Sequence, residues 1–287
     1  MVVLDWANSI MAIPREEIDY WLMDLFMRRQ DLEDCEKQIL ELAGQCENTE
    51  EFAVLKHVLE KFILLSDNQF EKYLRRLAKS IAQVSSTKTS VAVVAMAWNE
   101  GADSSQMVLQ RLKPMLPRGG RIKLFNSVPM YLKKKNMKDY PHFILIDDFA
   151  GTGSTVRGRL KHIFAESKSR KFPVTGQVKV VFGMEGAFDL LSGLDIDLEF
   201  LVKLKPGLSG HFSGAELGVK SCHMNRLETG LAQIVEGKML PNFGYGRAEA
   251  LFCLKGHNAP NSNFPILWWP EDCRGEPRDT LVYRSEL

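Results

Sequence analysis

The segment Phe143–Thr155, FILIDDFAGTGST, constrains this chain more than any other. Four apolar residues, Phe143 to Ile146, are followed by Asp147 and Asp148, a turn of small residues, and Ser154-Thr155, which can open a helix. The apolar run is too short and too uniform for an alternating surface strand. It fits the centre of a parallel sheet covered on both faces. Gly151 and Gly153 fall where the backbone must bend tightly and come close to a ligand. A helix starting near Ser154 presents unpaired N–H groups that can hold a phosphate, and its dipole adds ~0.3–1 kcal/mol for an anion.

Three readings compete for this segment. In the plainest, Asp147 and Asp148 only cap and solvate a strand–turn–helix corner. The uniformly small or acidic run after the strand argues against it. A second is a methyltransferase, because D-x-F-A-G-T-G-S is similar to the cofactor loop of DNA amino-methyltransferases. Those enzymes have Pro where this chain has Asp148, and they hold a flipped base with a Pro-Pro motif. No Pro-Pro pair occurs here.

The third reading fits best. An apolar strand, Asp-Asp, two free positions and Gly-Thr-Gly-Ser-Thr resemble the phosphoribosyl-diphosphate (PRPP) loop of type I phosphoribosyltransferases. The resemblance implies that Asp147 and Asp148 are the catalytic pair holding the ribose hydroxyls. It implies that Gly151, Thr152, Gly153, Ser154 and Thr155 bind the 5′-phosphate. The residue types suit this, since carboxylates accept from hydroxyl donors. A Mg²⁺ ion bridging a bound diphosphate to Asp147 or Asp148 is the cofactor expected with them.

With 45% apolar and 25% charged residues, the 287-residue chain has the composition of a globular protein. A net charge of +1 gives no bulk attraction to nucleic acid or membrane. The five cysteines form no CxxC pair and read as reduced thiols. With no signal peptide or bilayer-long apolar run, a cytoplasmic protein without a membrane partner is expected. The adjacent Cys222-His223 pair does not form a metal site, and no Walker A pattern occurs.

Residues 1–88 read as an N-terminal helical region. One helix begins after Pro14 and buries Ile18, Trp21, Leu22, Leu25 and Phe26. A second spans Glu50 to Leu65 with Thr49 as cap, and a third Asn68 to Val84 with Asp67 as cap. Residues 89–287 read as a phosphoribosyltransferase-like domain with a core over 89–205. Strands are expected at Val91–Ala97, Arg121–Phe125, Val178–Phe182 and Leu198–Leu201, with a helix from Ser154 to Ser167 burying Phe164. Alternation of strand and helix argues for an α/β fold with a parallel sheet and helices on both faces. The loops Asn99–Ser105 and Asp147–Thr155 then lie at the carboxyl ends of strands, where ligands bind. In type I phosphoribosyltransferases the first of these loops contacts diphosphate and usually carries a basic residue, and this chain has none there. The irregular basic stretch Pro129–Tyr140, with Lys133, Lys134, Lys135 and Lys138, occupies the place of that family's closing loop.

Residues 206–287 form an expected C-terminal hood, with a helix over Asn225–Gly237 and a strand over Ala248–Leu254. Its run Asn258-Ala259-Pro260-Asn261-Ser262-Asn263, followed by Pro265-Ile266-Leu267-Trp268-Trp269, resembles the C-terminal signature of the PRTase-CE family of bacterial conflict systems. That resemblance implies an antiphage, in some operons retron-associated, effector. The implied partner is a reverse transcriptase with its DNA–RNA hybrid, or a helix-turn-helix protein. In such a hood Arg247 can meet a phosphate, His257 and Asn258 a base, and Asn258 and Asn261 flank a rigid polar loop. The two tryptophans are expected in the core. Two functions stay open: an enzyme acting at the anomeric carbon of PRPP or a ribose 5-phosphate nucleotide, or a non-catalytic nucleotide sensor that regulates a partner.

Overall fold

The computed structural model describes residues 13–88, 90–98, 101, 103–117 and 121–285. The expected loop residues Asn99, Glu100 and Ala102 lie outside them. In chain order the elements begin with α1 (Arg15–Arg28), α2 (Glu36–Gly44), α3 (Thr49–Lys61), β1 (Ile63–Leu65) and α4 (Asp67–Thr87). Next come β2 (Val91–Ala95), α5 (Ser104–Leu112), β3 (Ile122–Phe125), α6 (Val128–Tyr131), α7 (Lys134–Asp139) and β4 (His142–Ala150). The chain continues through α8 (Ser154–Arg170), β5 (Thr175–Met184), α9 (Glu185–Ser192) and β6 (Asp197–Leu204). It closes with α10 (Gly214–Thr229), β7 (Ile234–Val235), β8 (Lys238–Met239) and β9 (Phe252–Leu254).

Two compact units divide this chain. One runs from Ser66 to Lys205, and the other takes the residues up to Leu65 together with those from Pro206 onward. This division differs from a boundary at residue 88, and the reason lies in α4. Its Phe70 and Tyr73 rings pack on Phe182 of β5 at 6.4 and 4.8 Å. Further along it, Ser80 Oγ accepts from Lys179 Nζ at 2.8 Å and donates to Glu199 at 2.5 Å. The helix therefore belongs to the sheet.

In the Ser66–Lys205 unit five parallel strands run in the order β3-β2-β4-β5-β6. The path from β2 through α5 to β3 runs one way along the sheet, and the path from β4 through α8 and α9 to β6 runs the other. Right-handed crossovers place α5 on one face and α8 and α9 on the opposite one. Arg111 of α5 bonds Asp67 of α4, which sets α4 on the α5 face. The strand interiors are fully buried, as a two-sided cover requires: all of Val91–Ala95 and Phe143–Ile146 are inaccessible. This is the α/β fold with a parallel sheet that the sequence predicts. The order reverses between β2 and β4, and their carboxyl ends form the switch point where such sheets take ligands.

Several local expectations need correction. The helix expected to reach Leu65 ends at Lys61, and Ile63–Leu65 instead pairs in parallel with Phe252–Leu254. The caps lie one residue earlier than predicted. Asn48 caps α3 by accepting from Glu51 N, and Ser66 forms a capping box with Gln69 on α4. Phe164 is 39% exposed rather than buried. The helix expected over Asn225–Gly237 is α10, which ends at Thr229 and is followed by the short hairpin β7–β8. The strand expected from Ala248 begins only at Phe252.

The other unit surrounds its own core. Trp21, Phe52, Phe62, Phe264, Trp268 and Trp269 are buried in it. The tryptophans are core residues, as expected, and each indole satisfies its N–H: Trp268 Nε1 donates to Asn263 O and Trp269 Nε1 to Ala232 O. Asn263 is fully buried. It accepts from Phe252 N and donates to Phe252 O and Pro260 O, so it clasps the loop to β9.

Candidate functional site at the switch point of the sheet

The strand β4 is longer than the apolar run that marks it. Asp147 and Asp148 stand within it rather than in a turn, because β5 continues the ladder beside them: Asp147 pairs with Val180 and Ala150 with Gly183. After β4, residues 151–153 turn the chain into α8, whose N-cap is Gly153 at φ +78°. A Cβ there would sit 3.3 Å from Ala187 O and from the Leu191 side chain, so both conformation and space require glycine. Thr152 Oγ1 accepts from Ser154 N at 3.3 Å and donates to Ser154 Oγ at 3.0 Å, which shapes the first turn. Ser154 and Thr155 are exposed. The N-terminus of a 17-residue helix thus opens directly beyond the two carboxylates.

Asp147 and Asp148 are half-buried and differently partnered. Asp147 Oδ1 accepts from the Asp148 N–H at 3.0 Å. Asp148 Oδ1 accepts from Ser104 Oγ at 2.6 Å. Burial, then the neighbouring Asp148 and Asp103 charges, hold the Asp147 carboxyl well above the usual carboxylate range. Burial also raises Asp148, while the Ser104 hydrogen bond works against that rise. Neighbouring carboxylates raise each other's pKa, and a cation or a set of hydroxyl donors bound there would favour their ionised forms.

The end of β2 supplies the opposite wall. Asp103 caps α5 by accepting from Ser105 N at 2.9 Å and from Ser105 Oγ. The fully buried Ser105 Oγ in turn accepts from Ala97 N at 3.1 Å. Arg159, on α8, donates from Nε to Met96 O at 2.8 Å, and its guanidinium carbon lies 4.9 Å from the centre of the Trp98 ring. Ser104, Asp103 and Arg159 are the residues that motif reading did not single out by role. The Asp103-Ser104-Ser105 run carries a helix-cap signal. Arg159 has none, since its partners come from a distant strand.

The lysine-rich stretch is neither irregular nor at this end of the sheet. Residues 128–139 form α6 and α7, with Tyr131 and Met137 buried. Arg170, at the far end of α8, donates to Leu132 O, and Lys134 Nζ lies 6.0 Å from the Phe172 ring centre. Because α8 runs away from Asp147, these contacts put the lysines near the amino ends of the strands. They do not form a lid for Asp147.

Arg247, Asn258 and Asn261 belong to the other unit. Arg247 is exposed, at φ +54°, with its guanidinium 4.3 Å over the Phe243 ring. Asn258 Oδ1 accepts from Ser285 N at 2.8 Å, and Asn261 O accepts from Tyr245 N at 2.9 Å. The backbone N–H of His257 donates to Leu254 O. Among the described residues no group of three or more His, Cys, Asp or Glu side chains can hold a metal ion, and no helix is long and apolar enough to cross a membrane.

Comparison with known proteins gives a family and slight structural overlaps. The PRTase-CE family model matches residues 44–284, most of the chain. No curated protein matches it. An orotate phosphoribosyltransferase from Aeropyrum pernix is similar at 18% identity and a TM-score of 0.31, over 48% of this chain and 72% of its own. A hypoxanthine phosphoribosyltransferase from Trypanosoma cruzi, complexed with the product IMP, overlaps at 14% identity and a TM-score of 0.34, over 50% of this chain and 78% of its own. A Mycobacterium tuberculosis orotate phosphoribosyltransferase complexed with PRPP overlaps at 10% identity and a TM-score of 0.32, over 54% and 89%.

Proposed function

Since the chain belongs to the PRTase-CE family, we propose that the carboxyl end of its sheet binds PRPP or a ribose 5-phosphate nucleotide. One observation carries the reading: Asp147 and Asp148 lie in the last four residues of β4 at the switch point, with Asp148 five residues before the left-handed Gly153 that opens α8. In this reading the two carboxylates accept from the ribose 2′- and 3′-hydroxyls. Gly151 to Thr155 and the first turn of α8 receive the 5′-phosphate through backbone N–H groups and the Thr152, Ser154 and Thr155 hydroxyls.

The carboxylates Asp147 and Asp148 also suit a divalent cation. They are clustered and short of positive charge, which is the donor set Mg²⁺ shares with substrate phosphates. Bound there, Mg²⁺ would neutralise charge on a departing diphosphate. The protein's own part is to fix the ribose and to keep Asp147 and Asp148 ionised once the ligand's donors are in place. Displacement at the anomeric carbon builds positive charge on the sugar, and carboxylates at the ring hydroxyls favour it.

A second reading, a sensor that binds the nucleotide and regulates a partner, draws support from the acidic Asp103 on the opposite wall. Calorimetric titration with PRPP and Mg²⁺, followed by assay of the mixture for released diphosphate, separates the two. Binding with release supports an enzyme, and binding without release a sensor. No binding of PRPP or of ribose 5-phosphate nucleotides would overturn both.

The wider proposal is a cytoplasmic antiphage effector, retron-associated or paired with a helix-turn-helix protein, supported by the tail motif around Asn258 and Asn261. Arg247, Asn258 and Asn261 are assigned a recognition role, tested by alanine variants that bind less ligand at unchanged melting temperature. Phage plating with Asp147→Asn/Asp148→Asn tests the link to defence, and protection that survives the change would make the pocket vestigial.

A further inference from the structure

Among the described residues placed so far around the switch point, every charged group is negative except one. Asp103, Asp147 and Asp148 converge there, and a polyanionic ligand would meet them unfavourably. Arg159 is the exception, and the structure holds it firmly. Its Nε bonds Met96 O, one residue past β2, and Met96 N donates to O of Ile146, the residue before Asp147 in β4. Its guanidinium plane lies over Trp98, and Trp98 is held from the other position of the same helical face by His162, ring centre to ring centre 4.6 Å. Arg159 and His162, three apart on α8, thus grip one aromatic ring.

Position along the helix says which part of a ligand Arg159 would meet. It lies five residues into α8, about 7.5 Å below the helix N-terminus at 1.5 Å per residue. Helical side chains lean back toward the N-terminus, so a long arginine reaches up to the sheet edge, as the Met96 bond shows. A 5′-phosphate at the start of α8 and a ribose on Asp147 and Asp148 would send the substituent at the anomeric carbon away from the helix tip, toward the end of β2. With Nε committed to the backbone, the fork keeps its two terminal NH₂ groups for bidentate bonding to an anion.

We propose that Arg159 is the residue that binds the diphosphate of PRPP at this site, delivered from α8 rather than from the loop after β2. The inference rests on the ribose 5-phosphate reading above. It makes Arg159 a specificity determinant, because ribose 5-phosphate lacks the group that Arg159 would hold. Burial holds the pKa of this guanidinium below its usual value, and the charges of Asp103 and Asp147 work against that fall.

The test is calorimetry with Mg²⁺ on wild type, Arg159→Ala and Arg159→Lys, each titrated with PRPP and with ribose 5-phosphate. Arg159→Ala is expected to weaken PRPP about 10- to 100-fold, the loss of a charge-assisted bond, and ribose 5-phosphate less than about twofold. Arg159→Lys keeps a charge but not the fork, and should fall between. Equal losses for both ligands would show that Arg159 only braces Met96 and Trp98, and would overturn the proposal. Unchanged PRPP affinity in Arg159→Ala would overturn it as well. If Arg159→Ala does not fold, Arg159→Lys and Arg159→Gln are judged by the same ratio of the two affinities. Wild type that binds neither ligand overturns the ribose 5-phosphate reading itself. Wild type that binds both, with variants that do not discriminate, overturns the Arg159 assignment alone.

Discussion

Ser104 Oγ donates a 2.6 Å hydrogen bond to Asp148 Oδ1, tying the first turn of α5 to the end of β4. That bond favours the ionised carboxylate, while burial opposes it. Ligand affinity that needs an ionised Asp148 should therefore rise with pH through the raised pKa of the pair. Removing the hydroxyl in Ser104→Ala should move this rise to higher pH, and added Mg²⁺ should move it to lower pH. Calorimetric affinity for PRPP between pH 5 and pH 9 reads both shifts, and coincident profiles for the two proteins would remove Ser104 from the site.

Asp147→Asn with Asp148→Asn should abolish PRPP and nucleotide binding. Each lost charged hydrogen bond costs ~1.5–3 kcal/mol. The double variant should melt no lower than wild type, since it removes two crowded, half-buried charges. Wild-type affinity in the folded variant would remove the ribose assignment.

Gly153→Ala should both destabilise the protein and weaken phosphate binding. The αL conformation costs a non-glycine residue ~1–2 kcal/mol, and the added methyl crowds Ala187 O and Leu191. Thermal melting reads the first effect and titration with ribose 5-phosphate the second. An unchanged melting temperature would show that the turn relaxes freely.

Glu228, on α10, is fully buried and accepts from Phe243 N through both carboxylate oxygens. Burial pushes its pKa from 4.5 up to about 8. A carboxyl raised on folding stabilises fully below its unfolded pKa, and that contribution is lost as pH rises through the folded value. Glu228→Gln should therefore gain melting temperature relative to wild type as pH rises from 4.5 to 8, with the gap level above that. A gap independent of pH would show that Glu228 ionises in the folded protein as it does in the unfolded chain, and that burial does not raise it.

Asn263→Ala should cost ~2–4 kcal/mol, because it removes the buried hydrogen bonds that Asn263 makes to the N–H and C=O of Phe252. Asn258→Ala and Asn261→Ala should melt close to wild type. Denaturant titration compares the three, and equal losses would contradict the division between a clasp and two surface residues.

The parallel sheet was legible because β2 and β4 are buried on both faces and therefore read as continuous apolar runs. Where β4 ends was not. Aspartate is a poor strand former, but Asp147 and Asp148 continue the strand because β5 offers them a ladder, a tertiary effect that overrides propensity. Helix α10 was misplaced because it buries only Met224, Leu227 and Glu228 and carries two glycines, so its apolar stripe is faint. The cap of α4 was missed by one residue because Ser66 and Asp67 are both good caps, and only the reciprocal Gln69 bond separates them. Arg159 left no local signal at all, since the carbonyl that fixes it is 63 residues earlier in the chain.

The parallel pairing of β1 with β9 has a consequence for synthesis. A ribosome releases Ile63–Leu65 long before it makes Phe252–Leu254, whereas Ser66 to Lys205 contains all five strands of the main sheet. Chain segments fold as units as they emerge, so the sheet can close while the other unit still waits for its second half. A nascent chain would hold a completed sheet and its Gly153 turn before the second half of the other unit exists, and translation that stops early would leave it so.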